Sequence, residues 1–292
     1  MTQSSKWSIT GALIGACFAL VTQAPASWLA NAISNASQHR FVLQNAQGTV
    51  WRGSAIALLA DGNQTPTVMR QSPSQLTLQA NQSDKPSSNT SSISPNTFGM
   101  PLPSRLSWDF SSGFDKSLMR LVMRAQIKSE CCTPEPLHLA ASIGLQGLRI
   151  NIANQQSQWP AHWLVGLGAP WNTVQPEGSM QLRTENLIWQ SNAGDPKIQG
   201  VAELTLSQLA TPLSTLRPLG TYRLRVQGGD TMAVSLATIE GGLQLSGNGQ
   251  WANGRLRFKG EARAQPAFEA ALSNLLNILG QRQGAISIME LG

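Results

Sequence analysis

The stretch Arg120–Ile152, RLVMRAQIKSECCTPEPLHLAASIGLQGLRINI, decides the fold of this chain. Its apolar residues recur at every second position in three successive runs, and polar residues fill many of the positions between them. A period of two is typical of a β-strand that turns one face to a core. The runs predict antiparallel strands with apolar positions at Leu121, Met123, Ala125 and Ile127, at Leu137, Leu139, Ala141, Ile143 and Leu145, and at Leu148, Ile150 and Ile152.

The same alternation extends over most of the chain and predicts a mainly β protein built on an antiparallel sheet. Phe41–Leu59 has the pattern of a first hairpin. Residues 81–98, which are rich in Ser and Asn, are predicted to form a flexible loop. Further strands are predicted around Leu182–Trp189, Val201–Leu209, Leu224–Val226, Leu243–Leu245 and Leu256–Phe258.

Two short helices interrupt the strands, at Pro160–Leu167 and Pro266–Leu279. Each begins at a proline and is followed by a glycine, which is the usual punctuation of a helix. Because each helix follows several strands, the order suggests an internal duplication with halves 41–172 and 173–292. Chance similarity between strand-rich segments explains the same order, and both explanations stay open.

Composition agrees with a β-sheet protein. Only 12% of the 292 residues are charged, against about 25% in an average soluble domain. Gly, Ser, Thr, Asn and Gln are common instead, and these residues suit turns between strands. The formal net charge of +6 favours an anionic partner or surface but identifies none.

The N-terminus carries a long uncharged segment. No charged residue occurs from Trp7 to Ala32, and at about 1.5 Å per residue this run is long enough to cross a bilayer core of about 30 Å. We predict a cytoplasmic N-terminus at residues 1–6, a transmembrane anchor at 7–24, a juxtamembrane helix at 25–40 and a β-rich domain at 41–292. The alternative is a signal peptide cleaved at the small-x-small motif Ala24-Pro25-Ala26. Under both, residues beyond about 30 lie outside the cytoplasm.

Three cysteines leave an odd count. Cys17 lies within the apolar segment, whereas Cys131 and Cys132 are adjacent in the sequence. No CxxC motif occurs, so the usual zinc and thioredoxin-like signatures are missing. A vicinal disulfide in an oxidising compartment and a pair of free thiols both remain open.

The sequence offers almost no catalytic chemistry. It contains no GxSxG, HExxH or P-loop motif, and its three histidines, His39, His138 and His162, are far apart. The string Gly247–Ala252 matches a dinucleotide fingerprint only as text, because it lies between two predicted strands, with Asn253-Gly254 predicted as the hairpin turn. We therefore predict a protein that is not an enzyme, with no catalytic, cofactor-binding or metal-binding residues and no cofactor. The scattered carboxylates are predicted to be solvated: Asp109, Asp115, Glu177, Glu185, Glu203, Glu240 and Glu261.

Basic residues alternate with apolar ones on several strands. If those strands were neighbours, their outer faces would form a positive patch suited to lipid headgroups or an acidic partner; a solvated surface is the simpler alternative. The residues are Arg120, Arg124 and Lys128, then Arg223 and Arg225, then Arg255, Arg257 and Lys259. Four tryptophans in or beside strands fill a core or anchor partners, namely Trp51, Trp108, Trp189 and Trp251.

Taken together, these segments resemble type II secretion system protein N, the general secretion pathway protein N family of Gram-negative bacteria. The resemblance covers nearly the whole chain apart from the Ser/Asn-rich stretch. It is carried by the order and spacing of PASWLA (Pro25–Ala30), GTVWRGSA (Gly48–Ala55), PSRLSW (Pro103–Trp108), WPAHWLVGLGAPW (Trp159–Trp171), RPLGTYRL (Arg217–Leu224), GGLQLSGNGQW (Gly241–Trp251) and NLLNILGQRQG (Asn274–Gly284).

The resemblance implies a single-pass inner-membrane protein with its β-rich domain in the periplasm and its N-terminus in the cytoplasm. It would be a non-enzymatic accessory of the type II secretion system, which exports folded proteins across the outer membrane. Its implied partners are the outer-membrane secretin or the inner-membrane platform proteins, together with membrane lipid through the N-terminal helix. Nucleic acid is not expected outside the cytoplasm.

A second hypothesis assigns the domain to lipid handling. Long strand-rich periplasmic domains with one anchor can curl into a trough whose apolar face holds acyl chains. The two hypotheses differ in where the apolar strand faces go. A closed core argues against a trough, whereas an open apolar groove longer than about 20 Å would support it, because soluble monomers seldom expose large apolar patches.

Overall fold

A computed structural model describes residues 22–62, 99–115, 120–144, 147–191, 197–252 and 255–292. The apolar run Trp7–Val21 and the predicted loop at 81–98 lie outside these ranges. Among the described residues, none of the helices combines the length and the apolar character that crossing a membrane requires. The predicted transmembrane anchor at 7–24 therefore stays a prediction.

The described residues form a mainly β structure with a few short helices, as the alternating pattern predicts. The strands are β1 (Phe41–Gly48), β2 (Arg52–Leu59), β3 (Met100–Pro101), β4 (Leu106–Asp115), β5 (Arg120–Ser129), β6 (Leu137–Gly144), β7 (Gly147–Ile152), β8 (Gln155–Pro160), β9 (Glu177–Ser191), β10 (Lys197–Ala210), β11 (Gly220–Gln227), β12 (Met232–Gly241), β13 (Leu243–Ala252), β14 (Arg255–Ala264), β15 (Gln281–Gln283) and β16 (Ile286–Leu291). The helices are α1 (Ala26–Ala36), α2 (Trp171–Val174) and α3 (Glu269–Leu279), with 3-10 helices at Ala161–Leu167 and Pro266–Phe268.

All of these strands belong to one antiparallel sheet. Its order is β1-β2-β4-β5-β6-β7-β9-β10-β11-β12-β13-β14-β16-β15, while β3 pairs with β2 and β8 pairs with β9. Most strands therefore pair with their neighbours in the sequence, through short hairpin connections. The string Gly247–Ala252 lies inside β13, which pairs with β12 and β14, so no helix follows it as a dinucleotide site would require.

The helices and the Cys131–Cys132 turn lie at one end of the strands, which we call the lower end. The opposite, upper end carries the connections between β4 and β5, β6 and β7, β9 and β10, β11 and β12, and β13 and β14. We call the sheet face that packs against the helices the inner face and the other the outer face. These terms are used unchanged below.

Two buried clusters lie on the inner face near the lower end. In the first, α1 and the 3-10 helix Ala161–Leu167 pack over the early strands, and its buried residues are Ala26, Ala30, Leu43, Ala55, Ala57, Leu102, Leu106, Trp108 and Cys132. In the second, α3 packs over the later strands, and its buried residues are Leu219, Tyr222, Leu243, Ala262, Leu272, Leu275 and Leu276. Ala55 and Ala57 on β2 are small and let α1 approach the inner face closely. The larger Ile56 and Leu58 alternate with them and lie on the outer face.

The two clusters belong to one sheet, joined by the long strands β9 and β10. The pairing shifts by one residue between Gln199 and Val201, where Asn186 and Gly200 have positive φ values of 49° and 90°. This β-bulge bends the sheet between the two clusters. The proposed halves 41–172 and 173–292 each contain one cluster, and an internal duplication stays a prediction.

The predicted helices are present with adjusted limits. The juxtamembrane helix predicted at 25–40 is shorter, because α1 ends at Ala36 and the left-handed residues Gln38 and His39 turn the chain into β1. The helix predicted at Pro160–Leu167 is a 3-10 helix that stops at Gly168, where φ is 78°. The helix predicted from Pro266 begins as a 3-10 turn and continues as α3.

Within the second cluster, Tyr222 on β11 is hydrogen-bonded to the start of β13. Its side chain is fully buried, and its hydroxyl donates a hydrogen bond to the carbonyl oxygen of Leu243 at 3.0 Å. Burial raises the pKa of Tyr222 far above its ordinary value, because the phenolate would be poorly solvated there. The folded protein therefore holds the Tyr222 proton more tightly than the unfolded chain does.

We predict that Tyr222 makes stability sensitive to alkaline pH. Its contribution is fully present below the unfolded pKa of about 10 and is lost as the pH rises from there towards the higher folded pKa. The chain has a single tyrosine, so its absorbance change on ionisation can be followed directly. We expect this signal only when the far-UV circular dichroism reports unfolding.

The variant Tyr222→Phe is the control for this prediction. It should lose about 1 kcal/mol of unfolding free energy at pH 7, because the Leu243 carbonyl loses its buried donor. It should also lack the part of the alkaline destabilisation that comes from tyrosine ionisation. Ionisation near pH 10 in a protein that is still folded would contradict the argument.

Candidate interaction surfaces

The upper part of the inner face continues the apolar face of the two clusters. Residues paired across antiparallel strands share a face. On β4, Phe114 lies on the same face as Trp108 and Phe110 but nearer the upper end. On β5, Leu121 lies on the same face as Ile127 and is likewise nearer the upper end. The alternation seen in the sequence therefore extends beyond the region that the helices cover.

Three of these upper residues form an exposed apolar row. Phe114 pairs with Leu121, and Leu121 pairs with Ile143 on β6. Their exposed fractions are 59%, 46% and 55%. Below this row lies a half-buried one, in which Met123, Ala141, Ile150, Trp189 and Ile198 succeed one another across five strands.

The apolar face continues on the later strands. Val226 pairs with Val234 on the same face as Tyr222, and Met232 pairs with Trp251, whose side chain is 46% exposed. We use the name open apolar face for the upper inner surface that the described helices do not cover. It comprises Phe114, Leu121, Met123, Ala141, Ile143, Ile150, Trp189, Ile198, Val226, Met232 and Trp251.

Glycines at the far end of this face make room for Phe258. Gly247 and Gly260 are paired inner-face residues of β13 and β14, and the Phe258 ring lies over both. A Cβ atom at position 247 would overlap Cζ of Phe258 and lie 2.9 Å from Cα of Gly260. The glycines that resemble a cofactor motif in the sequence therefore have a packing role.

We predict that Gly247→Val destabilises the fold by about 1–3 kcal/mol, because it forces Phe258 and the neighbouring strand to move. Ser246→Val is the matched control, since position 246 lies on the outer face of the same strand. Urea unfolding followed by tryptophan fluorescence measures both variants. Equal stability of the two variants would mean that Phe258 does not need the space above Gly247.

The outer face carries the basic residues, but they do not form one patch. The condition for a single patch is not met, because β5, β11 and β14 are separated by other strands, so the simpler alternative of a solvated surface is favoured. Carboxylates also divide them: Glu203 lies 3.3 Å from Arg223 and 3.9 Å from Arg225, and Glu290 lies 3.0 Å from Lys259.

The acidic residues support the predicted solvated surface. Asp109 pairs with Arg52 at 2.8 Å and Glu177 with Arg217 at 3.2 Å, and all four side chains are about half exposed or more. Such exposed ion pairs contribute little to stability. Within the described ranges, no group of three potential metal ligands occurs.

One cleft is lined mainly by polar residues and is open to solvent. It has a volume of about 680 Å³ and lies between the β7–β8 connection and the middle of β9, where Arg183 and Glu185 form an exposed ion pair at 2.8 Å. Asn154 accepts a hydrogen bond from the backbone N–H of Asn186, and Gln155 accepts one from that of His138. The polar side chains of this cleft are thus engaged in hydrogen bonds and an ion pair within the protein. None of them forms a pair of a nucleophile and a general base.

The histidines are also kept apart by the fold. Nδ1 of His39 lies 2.8 Å from the Ser34 hydroxyl in the turn after α1. His138 is exposed on β6, and His162 is exposed on the 3-10 helix. The structure therefore assigns the described histidines to three separate elements.

The edges of the sheet are poorly suited to pairing with another strand. On one edge, β1 has a register shift between Gln44 and Gln47 and packs against α1. On the other edge, β15 has only three residues, all exposed, and the middle one is Arg282. A bulge, a short edge and a charge each discourage edge-to-edge pairing, so faces and helices are the better candidates for contacts.

The adjacent cysteines form a disulfide in the turn between β5 and β6. Of the two possibilities left open by the sequence, the structure has the vicinal disulfide. The turn is secured by Thr133, whose hydroxyl donates to the carbonyl of Ser129 and accepts from its N–H, and Cys132 is buried in the first cluster.

We predict that alkylation of the denatured, non-reduced full-length protein labels one of its three cysteines. Reduction before alkylation should raise the number to three, as read by intact mass. The variant Cys17→Ser should then carry no label without reduction. Labelling of Cys131 and Cys132 in protein taken from an oxidising compartment would contradict the disulfide.

Comparison with known proteins gives one match. The family model of type II secretion system (T2SS), protein N matches residues 39–289, which is most of the chain. The chain belongs to this family. Searches of curated proteins and of solved structures found no match.

Membership of the protein N family confirms the resemblance predicted from the sequence and implies a role in type II secretion. The family is a secretion-system component and is not known as an enzyme family. The matched region includes both buried clusters and the open apolar face. Sequence reasoning noted Trp108, Trp189 and Trp251 but missed Phe114, although its spacing from Trp108 and Phe110 carries the signal.

Proposed function

We propose that this chain is a non-enzymatic subunit of the type II secretion system that supports assembly or coupling of the apparatus. In this proposal, residues 7–24 anchor it in the inner membrane and the domain 41–292 lies in the periplasm. There it contacts the outer-membrane secretin or the inner-membrane platform proteins. The observation that carries the proposal is the family match over residues 39–289.

The way the chain enters the domain supports an anchor next to the sheet. The carbonyl of Ala24 accepts a hydrogen bond from the N–H of Val50 at 2.8 Å, and Pro25 forms a β-bridge with Thr49. Both contacts fall at the β1–β2 turn. Residues 22–25 are thus tied to the sheet, so the predicted anchor has no long linker between it and the domain.

The disulfide supports a position outside the cytoplasm. Disulfides form and persist in oxidising compartments such as the bacterial periplasm, and they are rare in the reducing cytoplasm. Cys131 and Cys132 lie within the β-rich domain and not in the predicted anchor. The proposed periplasmic domain is therefore the part of the chain that carries the oxidised pair.

Exposed tryptophans on helices are suitable points of protein contact. Trp28 on α1 is 57% exposed and Trp171 on α2 is 38% exposed. Tryptophan is enriched among the residues that contribute most to protein interfaces. In contrast, Leu272 on α3 is fully buried and has no access to a partner.

We predict that a photoreactive residue at Trp28 or Trp171 cross-links the full-length, membrane-embedded chain to the secretin or a platform protein. The experiment uses cells that express the secretion machinery, and mass spectrometry identifies the adducts. The chain should stay in the membrane fraction after an alkaline carbonate wash, with residues 1–24 still attached.

The same photoreactive residue at Leu272 is the control and should give no adduct with another protein. Adducts that contain no secretion component at either tryptophan, together with normal export of secreted proteins when the chain is deleted, would reject the proposal. A chain that lacks residues 1–24 in the cell would reject only the anchor and would favour the cleaved signal peptide.

A further inference from the structure

We propose that the open apolar face binds the acyl chains of a membrane phospholipid. This inference goes beyond the secretion role and does not depend on a secretion partner. It rests on the part of the inner face that the described helices do not cover, on the chemistry of its side chains and on the charge at the upper end.

The first argument is that none of the described helices covers this surface. In the described residues α1 packs mainly on β1 and β2, the 3-10 helix Ala161–Leu167 on β2, β3 and β9, and α3 on β14, β15 and β16. Phe114, Leu121 and Ile143 are about half exposed although they lie side by side. A contiguous exposed apolar row of this kind is unusual in a soluble monomer and marks a binding surface.

The second argument is length. The open apolar face runs from β4 to β13, which are nine strands in the sheet order, and adjacent strands lie about 4.8 Å apart. The face therefore spans roughly 38 Å along the sheet. One leaflet of a bilayer core is roughly 15 Å thick, half of about 30 Å. The surface is long enough for a whole acyl chain.

The third argument is the character of the lining. All the side chains of the open apolar face are uncharged, and the backbone groups beneath them are paired in the strand ladders. A protein partner needs a polar rim and about one hydrogen bond per 100–200 Å² of interface. A hydrocarbon chain needs neither, because apolar burial alone drives its binding.

Charge at the upper end fits an anionic headgroup. Three strands begin there with a basic residue, at Arg120, Lys197 and Arg255. The described acidic residues at this end are Asp115, which pairs in register with Arg120, and Asp230. The register places these basic residues on the outer face, so they can meet an anionic lipid headgroup only at the upper rim, where the apolar face ends.

The test is photo-cross-linking of the full-length chain in cells grown with ³²P-orthophosphate, which labels phospholipids. The photoreactive residue is introduced at Ala141 on the inner face or at Ser142, its neighbour on the outer face. Both positions lie at about the same height on β6, so contact with a bilayer surface alone would label both. We expect a ³²P-labelled adduct at Ala141 that is about tenfold stronger than at Ser142.

A second experiment introduces negative charge into the open apolar face. Leu121→Glu combined with Ile143→Glu should lower the label at Ala141 by about tenfold or more, because apolar chains do not solvate carboxylates. Arg124→Glu combined with Ser142→Glu also places two glutamates on neighbouring strands, but on the outer face, and should leave the label unchanged. Unchanged circular dichroism and thermal midpoint show that each variant folds, as expected for positions that are exposed or half-buried.

Four results would overturn the proposal: no adduct at Ala141, equal labelling at Ala141 and Ser142, an unlabelled adduct with another protein, or an internal cross-link from Ala141 to residues 7–21. The protein adduct would identify the face as a protein-docking surface, and the internal cross-link would show that the chain covers its own face. Each is read independently of the Trp28 and Trp171 cross-links, so lipid binding and the secretion role can fail separately.

Discussion

The structure depends on the register of its cross-strand pairs. One residue of slip in any strand would exchange its apolar and polar faces, because side chains alternate with a period of two. Here the register keeps apolar residues on the inner face from β4 to β16, including across the bulge at Asn186 and Gly200. That single constraint produces the two buried clusters where helices are present and the open apolar face where they are not.

The strands were predictable because their signal is local. Leu121, Met123 and Ala125 alternate with polar neighbours, and their strand forms where the sequence predicts it. The helix at Pro160–Leu167 was also predictable from its proline and Gly168, although its 3-10 character was not. The shorter α1 was missed, because Gln38, the first residue of the left-handed turn, belongs to a residue type that seldom adopts that conformation.

The candidate surfaces were harder to predict because they depend on strand order. Alternation identifies the basic side of β5, β11 and β14 but does not say which strands lie between them. Burial has the same limitation: Ile127 and Leu121 belong to the same strand and face, yet only Ile127 packs against a cluster. The difference arises from where the helices pack, which is a long-range property.

The chain enters the sheet through Pro25 beside the β1–β2 turn, at the height of Arg52 and Asp109, and the disulfide turn lies below that height. The longest strand, β9, has 15 residues, which at about 3.4 Å each corresponds to roughly 50 Å. If residues 7–24 lie in the bilayer, the domain is attached to the membrane at the β1 edge of its sheet, where α1 and the β1–β2 turn meet the anchor. A subunit attached by one edge would extend over tens of ångströms along its strands and across its sheet.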